Sequence, residues 1–219
     1  MSNFLYNKYS TTKERKMSEI QPKKWLEWIC SSKNLDELRK NYNQWADTYE
    51  ADVSGVWESV PLATAYLLAK YISHKQRAIL DVGAGTGLVG VALAALGFEQ
   101  IIGIDISPSM LTQAAAKGVY SSLVCCSIGD ETFRNLGRAS GIIATGVFAE
   151  SHAGSAELNA LQEKIEPNGI LVFTARQSFL PKLQEVLNQP GWTLIDSKVM
   201  RIYEDPTHLL ACKIHNTTK

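Results

Sequence analysis

The residues with the most chemical content lie in one stretch, Asp81-Val82-Gly83-Ala84-Gly85-Thr86-Gly87-Leu88-Val89-Gly90. Asp105 follows it at roughly the ~20-residue distance at which an acidic partner of such loops falls. Glycines packed this densely let a ligand approach the backbone where any Cβ would clash. If a helix starts at Leu88, its first amides have no partner within the helix and face that ligand. A carboxylate at the tip of the next strand can accept both hydroxyls of a ribose. Together these residues describe a site for a ribose-bearing ligand.

The surrounding pattern supplies the elements that would position them. Ala78 to Val82 is a short apolar run ending in glycines, which predicts a buried strand. Leu88 to Leu96 is apolar nearly all round and predicts a helix lying on a sheet. Ile101 to Ile104 reads as a second strand. Ser107-Pro108 supplies a cap and a first-turn proline for a helix reaching Lys117. Further strands are expected at Leu123–Cys126, Ile142–Thr145, Ile170–Thr174, Trp192–Asp196 and His208–Ile214, with helices at Ser155–Ile165 and Leu180–Leu187. Upstream, helical spacing marks Trp25–Cys30, Leu35–Tyr49 and Pro61–Tyr71. Strands alternating with helices in this way predict an α/β fold, a doubly wound, mostly parallel sheet with a helical N-terminal extension.

Two frames fit the glycines. Gly85-x-Gly87-x-x-Gly90 spells the dinucleotide fingerprint and implies NAD, while Asp81-x-Gly83-x-Gly85-x-Gly87 places a carboxylate at the tip of the first strand. The second frame is favoured. The dinucleotide frame would begin past Asp81, where the strand should still be apolar. A carboxylate there suits an amino group and repels a pyrophosphate. The chain from Ile79 onward has room for one sheet and none for a dehydrogenase's second domain.

In that frame the chain, over about residues 35–214, resembles the class I, seven-stranded S-adenosylmethionine-dependent methyltransferases. The resemblance rests on ILDVGAGTG, IGIDISPSML and the turn at Gly169 in EPNGILVF, and on YNQWADTYEADV just before the core. More narrowly, GLVGVALAALGF, the SPxML after Asp105, and KGVYSSLVCCSIG are similar to the Williams–Beuren syndrome-region methyltransferase-like proteins. The resemblance implies a Rossmann-like core at 75–219 capped by a helical extension at 25–74, and residues 1–24, polar and without periodicity, read as a mobile basic arm. It implies S-adenosyl-L-methionine as cofactor and these roles. Asp81 orients the methionine end. Gly83, Ala84, Gly85, Thr86 and Gly87 form the close-approach loop. Asp105 binds the ribose, with Ile106 and Met110 against the adenine. Ser127 and Ile128 close the adenine edge, Gly146 lines the substrate side, and Trp45 and Tyr49 cover the cofactor.

Methyl transfer from a sulfonium needs orientation and exclusion of water more than acid–base help, and a base only if the nucleophile arrives protonated. No catalytic residue is assigned from sequence. His152, beside Glu150 in AESHAG, is the candidate base, set against a solvated loop histidine. His74 and His208 read as surface residues, and Trp25 and Trp28 as packing on the sheet. No Asn-Pro-Pro-Tyr clamp for amino-group methylation is present, and no metal is expected, since no carboxylate cluster follows the fourth strand. The leading expectation is a methyltransferase for a small-molecule acceptor. The alternatives are an S-adenosylmethionine-binding module acting with a partner, or an NAD-dependent reductase.

Composition bounds these readings. The chain has 219 residues, 45% hydrophobic and 20% charged, which is globular and fits one domain with an appendage. With 22 Lys+Arg against 22 Asp+Glu, bulk attraction to nucleic acid or acidic lipid is not expected. The arm is the exception, with Lys8, Lys13, Arg15, Lys16, Lys23 and Lys24 against Glu14 and Glu19. Cys30, Cys125, Cys126 and Cys212 have neither zinc spacing nor a disulfide framework, as in reduced compartments. No apolar run reaches membrane-span length, and a cytoplasmic protein is the expectation.

Overall fold

The computed structural model describes residues 22–215. The arm expected at 1–24 lies outside the described residues up to position 21, and Pro22 already opens a helix. Among the described residues four helices come before the sheet: α1 (Pro22–Cys30), α2 (Leu35–Trp45), α3 (Tyr49–Val53) and α4 (Ser59–Tyr71). The alternating part follows as β1 (Ile79–Val82), α5 (Leu88–Ala95), β2 (Ile101–Asp105), α6 (Pro108–Ala116), β3 (Ser122–Cys125), α7 (Glu131–Arg134) and β4 (Ala139–Phe148). It closes with α8 (Ser155–Gln162), β5 (Ile165–Arg176), α9 (Leu180–Leu187), β6 (Trp192–Met200) and β7 (Thr207–Ile214).

The strands form one seven-stranded sheet in the order β3-β2-β1-β4-β5-β7-β6. β1 pairs in parallel with β2 and β4, β2 with β3, and β4 with β5, whereas β7 runs antiparallel to both its neighbours. The order reverses beside β1, the switch point at which open α/β sheets bind ligands beyond the carboxyl ends of their strands. Asp105, at the tip of β2, reaches that crevice, and Asp81, near the end of the neighbouring β1 and opposite Gly103, lies buried beside it.

Every residue of β1 is buried, since helices cover both faces. On one face Leu80, Val82, Ile104, Ile142 and Phe173 pack with Leu158, Leu161 and Leu183 of α8 and α9. On the other, Ile79, Ile101, Ile143 and Val172 pack with Ala65 and Leu68 of α4 and Val89 and Leu93 of α5. So α4, within the stretch expected to cap the site, is part of a sheet-covering layer. A third cluster joins α1 and α2 to α6 through Ile29, Leu38, Trp45 and Met110.

Three expectations need correction. Trp25 and Trp28 do not pack on the sheet: Trp25 stacks on Trp45 with centroids 5.2 Å apart, and Trp28 meets Trp25 edge-on at 5.4 Å. The helix expected at Leu35–Tyr49 breaks after Trp45, which lets Tyr49 turn edge-on to the Trp45 ring at 4.8 Å. His208 is no surface turn residue; it lies within β7, half-buried, with Nε2 sealed from solvent and unpaired among the described residues. All four cysteines are free. Among the described residues no helix is long and apolar enough to cross a membrane, and no three metal-ligating side chains gather.

Candidate functional site

The glycine loop takes the conformation its residues permit. Gly83, Gly85 and Gly87 have φ of 69°, 53° and 96°, a region that L side chains adopt only with strain. A Cβ on Gly83 would stand 2.5 Å from Cγ2 of Val147, so β4 closes tightly over the loop. Gly83 and Ala84 donate to the Ile104 carbonyl at 2.8 and 2.9 Å, and Gly85 N–H donates to Asp105 Oδ2 at 2.9 Å. Ser107 N–H donates to Asp105 Oδ1 at 2.8 Å. Burial raises the Asp105 carboxyl above its ordinary range, and the amides of Ser107, Gly85 and Ile106 pull it back.

Next to Asp105, Ser107 caps α6 by accepting from Met110 N–H and donates its own hydroxyl to Asn43 Oδ1 at 2.7 Å. Arg39 donates to the Ile106 carbonyl at 3.1 Å. These bonds fasten α2 across the mouth of the sheet and bring Trp45 over it. Trp45 is 3% exposed; its indole N–H donates to Asp52 at 2.9 Å, and Trp25 and Tyr42 flank its faces.

Below this roof lies a cavity of about 280 Å³ at the carboxyl ends of β1, β2, β4 and β5. Of the residues expected at the site, Trp45, Tyr49, Gly83, Gly85, Asp105, Ile106, Met110, Ser127, Ile128 and Gly146 line it. Ala84, Thr86 and Gly87 belong to the loop but not to the wall. Asp81 is also off the wall: it is fully buried beneath the loop, where its Oδ2 accepts from the Tyr120 hydroxyl at 2.7 Å. Its Oδ1 has no partner among the described residues, and burial pushes the carboxyl up to about 7 against the lowering effect of Tyr120. Gly90 and Gly103 make room for Tyr120, since a Cβ would lie 2.3 Å from its ring on Gly90 and 2.8 Å on Gly103.

Ser127 is held by Asp130, which accepts from its backbone N–H at 2.9 Å and caps α7 by accepting from Phe133 N–H at 2.7 Å. Sequence reasoning passed over this acid, although its position one residue before the short helix is a capping signal. Gly146, with φ 76°, donates to Thr174 Oγ1 at 2.8 Å and lies under Trp57.

The cavity is also lined by residues to which sequence reasoning gave no site role: Tyr42, Trp57, Arg176, Tyr203 and Thr207. His152 joins them. Its Nδ1 lies 2.8 Å from the Glu150 carbonyl, which can only accept, so that nitrogen carries the proton. Nε2 is therefore a lone pair, and the Tyr42 hydroxyl donates to it at 2.9 Å. Burial lowers the imidazole's pKa and raises that of Tyr42 well above its ordinary value, so near neutrality His152 is an uncharged acceptor and Tyr42 keeps its proton.

The comparisons with known proteins agree with this geometry. Residues 79–169 match the family described as a methyltransferase domain, and residues 39–114 match one described as lysine methyltransferase. Human methyltransferase-like protein 27 is 34% identical over 140 residues, which cover 62% of this chain and 56% of that protein. The chain spans about half the length of the curated relatives it matches. Among solved structures, magnesium protoporphyrin IX methyltransferase (ChlM) from Synechocystis PCC 6803 with bound SAH superposes with a TM-score of 0.60 at 16% identity, covering 82% of this chain and 99% of that one. The (4+2)-cyclase SpnF superposes with a TM-score of 0.68 at 13% identity, covering 84% of this chain and 98% of its own.

Proposed function

We propose that this chain, whose residues 79–169 match a methyltransferase domain, is a class I S-adenosylmethionine-dependent methyltransferase that methylates a small molecule held in its cavity. The observation that carries this reading is one cavity lined both by the glycine loop and Asp105 and by the hydrogen-bonded Tyr42–His152 pair.

The residues present fit the cofactor. Gly85 leaves its side of the loop open, with nothing closer than 3.9 Å to the position of a Cβ, and Asp105 presents its carboxylate to the cavity. Asp105 would accept the ribose hydroxyls, exchanging them for its present amide partners. Ile106, Met110 and Ile128 would flank the adenine, and Trp45 and Tyr49 would cover the site. Asp81, sealed under the loop, would act on the methionine end through the loop backbone. When bound, S-adenosylmethionine would supply a methyl group on a sulfonium, open to displacement by an acceptor's lone pair with the C–S bonding pair leaving on sulfur. The protein's part is orientation and a dry cavity. For an acceptor that arrives protonated, its proton moves to the Tyr42 oxygen as the Tyr42 proton moves to His152 Nε2, leaving an imidazolium.

A second reading, a protein lysine as acceptor, draws support from the match over residues 39–114. That match covers the cofactor-binding loop, most of α2 with Tyr42, and Trp57, and stops before His152, Arg176, Tyr203 and Thr207. A module that binds the cofactor without transfer is the remaining alternative, and the SpnF likeness is a reminder that fold alone does not fix chemistry.

The test is transfer of label from methyl-labelled S-adenosylmethionine in a cell extract split into low-mass and protein fractions. Label is expected in the low-mass fraction. Label confined to protein would favour the lysine reading, and none in either would favour the binding module. With an acceptor in hand, His152→Gln is expected to lower kcat roughly 100-fold, the lower end of what general-base catalysis contributes. Its KM for the cofactor should be unchanged, and the loss should be largest at low pH. A kcat within threefold of wild type would remove His152 from the reaction.

A further inference from the structure

Arg176 ends β5 and is the one Lys or Arg among the described residues lining the cavity. Arg176 is a half-buried residue, and a guanidinium drawn toward apolar walls is costly unless a negative charge or a full set of acceptors meets it. None does among the described residues. The three acids of the lining are committed elsewhere: Asp52 to the Trp45 indole, Asp105 to the amides of Gly85 and Ser107, and Glu157 to the amide of Gly154. No ion pair within 4.0 Å of Arg176 exists among the described residues. The guanidinium lies instead over the Tyr203 ring, 5.2 Å from its centroid, and Tyr203 stacks with Trp57 at 6.4 Å. Its charge is felt by the groups around it: burial raises the pKa of Cys30 and of Tyr203 and Arg176 opposes that rise, while burial lowers that of His152 and Arg176 adds to the lowering.

A second, independent feature sits beside it. Thr207 opens β7 directly opposite Arg176 in the antiparallel register, so the two side chains share a face of the sheet, and Thr207 also lines the cavity. Its hydroxyl is buried and has no hydrogen-bond partner among the described residues. A buried hydroxyl left unpaired costs about 1–3 kcal/mol, so a site that keeps one has a use for it.

Resting on the methyltransferase reading, we propose that Arg176 and Thr207 form an anion subsite, and that the acceptor is an apolar or aromatic molecule carrying a carboxylate. The guanidinium offers paired donors to the carboxylate, Thr207 adds a third, and Tyr203 and Trp57 wall the body of the molecule. The same cation repels a lysine ammonium, so the subsite discriminates against a protein lysine. The anion could also be the cofactor's own carboxylate, a source the experiment separates.

The test is calorimetric binding of phenylacetate, 3-phenylpropionate and 1-naphthylacetate, each against its primary amide, to the full chain with and without S-adenosylhomocysteine. The carboxylates are expected to bind at least tenfold tighter than the amides. Arg176→Gln should abolish that preference while leaving S-adenosylhomocysteine affinity within twofold. Thr207→Val, nearly isosteric, should reduce the preference severalfold and serves if Arg176→Gln fails to fold. Equal binding of acid and amide, binding of neither, or a preference surviving both substitutions would overturn the proposal. A matching loss of S-adenosylhomocysteine affinity in Arg176→Gln would also overturn it, assigning Arg176 to the cofactor's carboxylate. A carboxylate preference in a chain that does not bind S-adenosylhomocysteine would keep the subsite and sink the transferase reading. The reverse result would sink the subsite alone.

Discussion

Asp105→Asn is expected to weaken binding of S-adenosylmethionine and S-adenosylhomocysteine by about 100-fold or more, read by calorimetry. A carboxylate can accept two ribose hydroxyls at once, and hydrogen bonds to a charged acceptor contribute about 1.5–3 kcal/mol each. Losing the charge and turning one acceptor into a donor therefore costs at least the ~2.7 kcal/mol that corresponds to 100-fold. Folding should suffer less. Asn can still accept at one oxygen from Gly85 or Ser107, the present partners at 2.9 and 2.8 Å. Affinity within threefold of wild type would mean that Asp105 does not hold the ribose.

Asp81→Asn should do something less intuitive, stabilising the free protein at pH 8 while weakening cofactor binding about tenfold. The Asp81 carboxyl is raised to about 7 in the folded chain by burial, and Tyr120 alone among the described residues bonds it. Unfolded, it titrates near the ordinary ~3.9. Between those values the folded state holds the proton that the unfolded state has released, so stability falls as pH rises from about 4 to about 7 and is level above. The asparagine does not titrate, which removes a penalty of at most about 4 kcal/mol at pH 8. Its amide N–H groups lack a partner, which returns about 1–3 kcal/mol of that. The net gain corresponds to a midpoint raised by a few degrees at ~2–4 °C per kcal/mol for a chain of this size. The gap should shrink as pH falls and reverse below pH 4, where only the amide's cost of about 1–3 kcal/mol remains. A variant less stable than wild type at pH 8 would show that Asp81 is not held as a strained acid.

Much of this was legible in the chain, and the part that was not has a physical reason. The loop and Asp105 were readable because their chemistry is local: glycines at positive φ, a strand tip, and a cap at Ser107 that accepts from Met110 N–H. The strands of the parallel core were found from their unbroken apolar runs, but their ends were not. β5 was expected at Ile170–Thr174 and spans Ile165–Arg176, because pairing with β4 resumes on both sides of the turn at Pro167–Asn168. Arg176 fell outside the expected strand for that reason. The rest of the cavity wall was invisible to local patterns, since Tyr42, His152, Arg176, Tyr203 and Thr207 come from five separate segments that only the sheet order brings together. Trp25 and Trp28 were misplaced because helical spacing shows that a residue packs, not against what. Their partner is Trp45, fixed by α2 docking through Arg39 and Asn43.

The central claim is that the loop from Asp81 to Gly87 holds an adenosyl sulfonium and not a dinucleotide. Thermal unfolding of the full chain with S-adenosylmethionine, S-adenosylhomocysteine or NAD, each at a fixed excess, tests it most directly. A ligand at 100 times its Kd stabilises by ~2.7 kcal/mol, or roughly 5–10 °C for a chain of this size. Both adenosyl compounds should raise the midpoint by about that much and NAD by none; a rise with NAD alone, or with no ligand at all, would contradict the account.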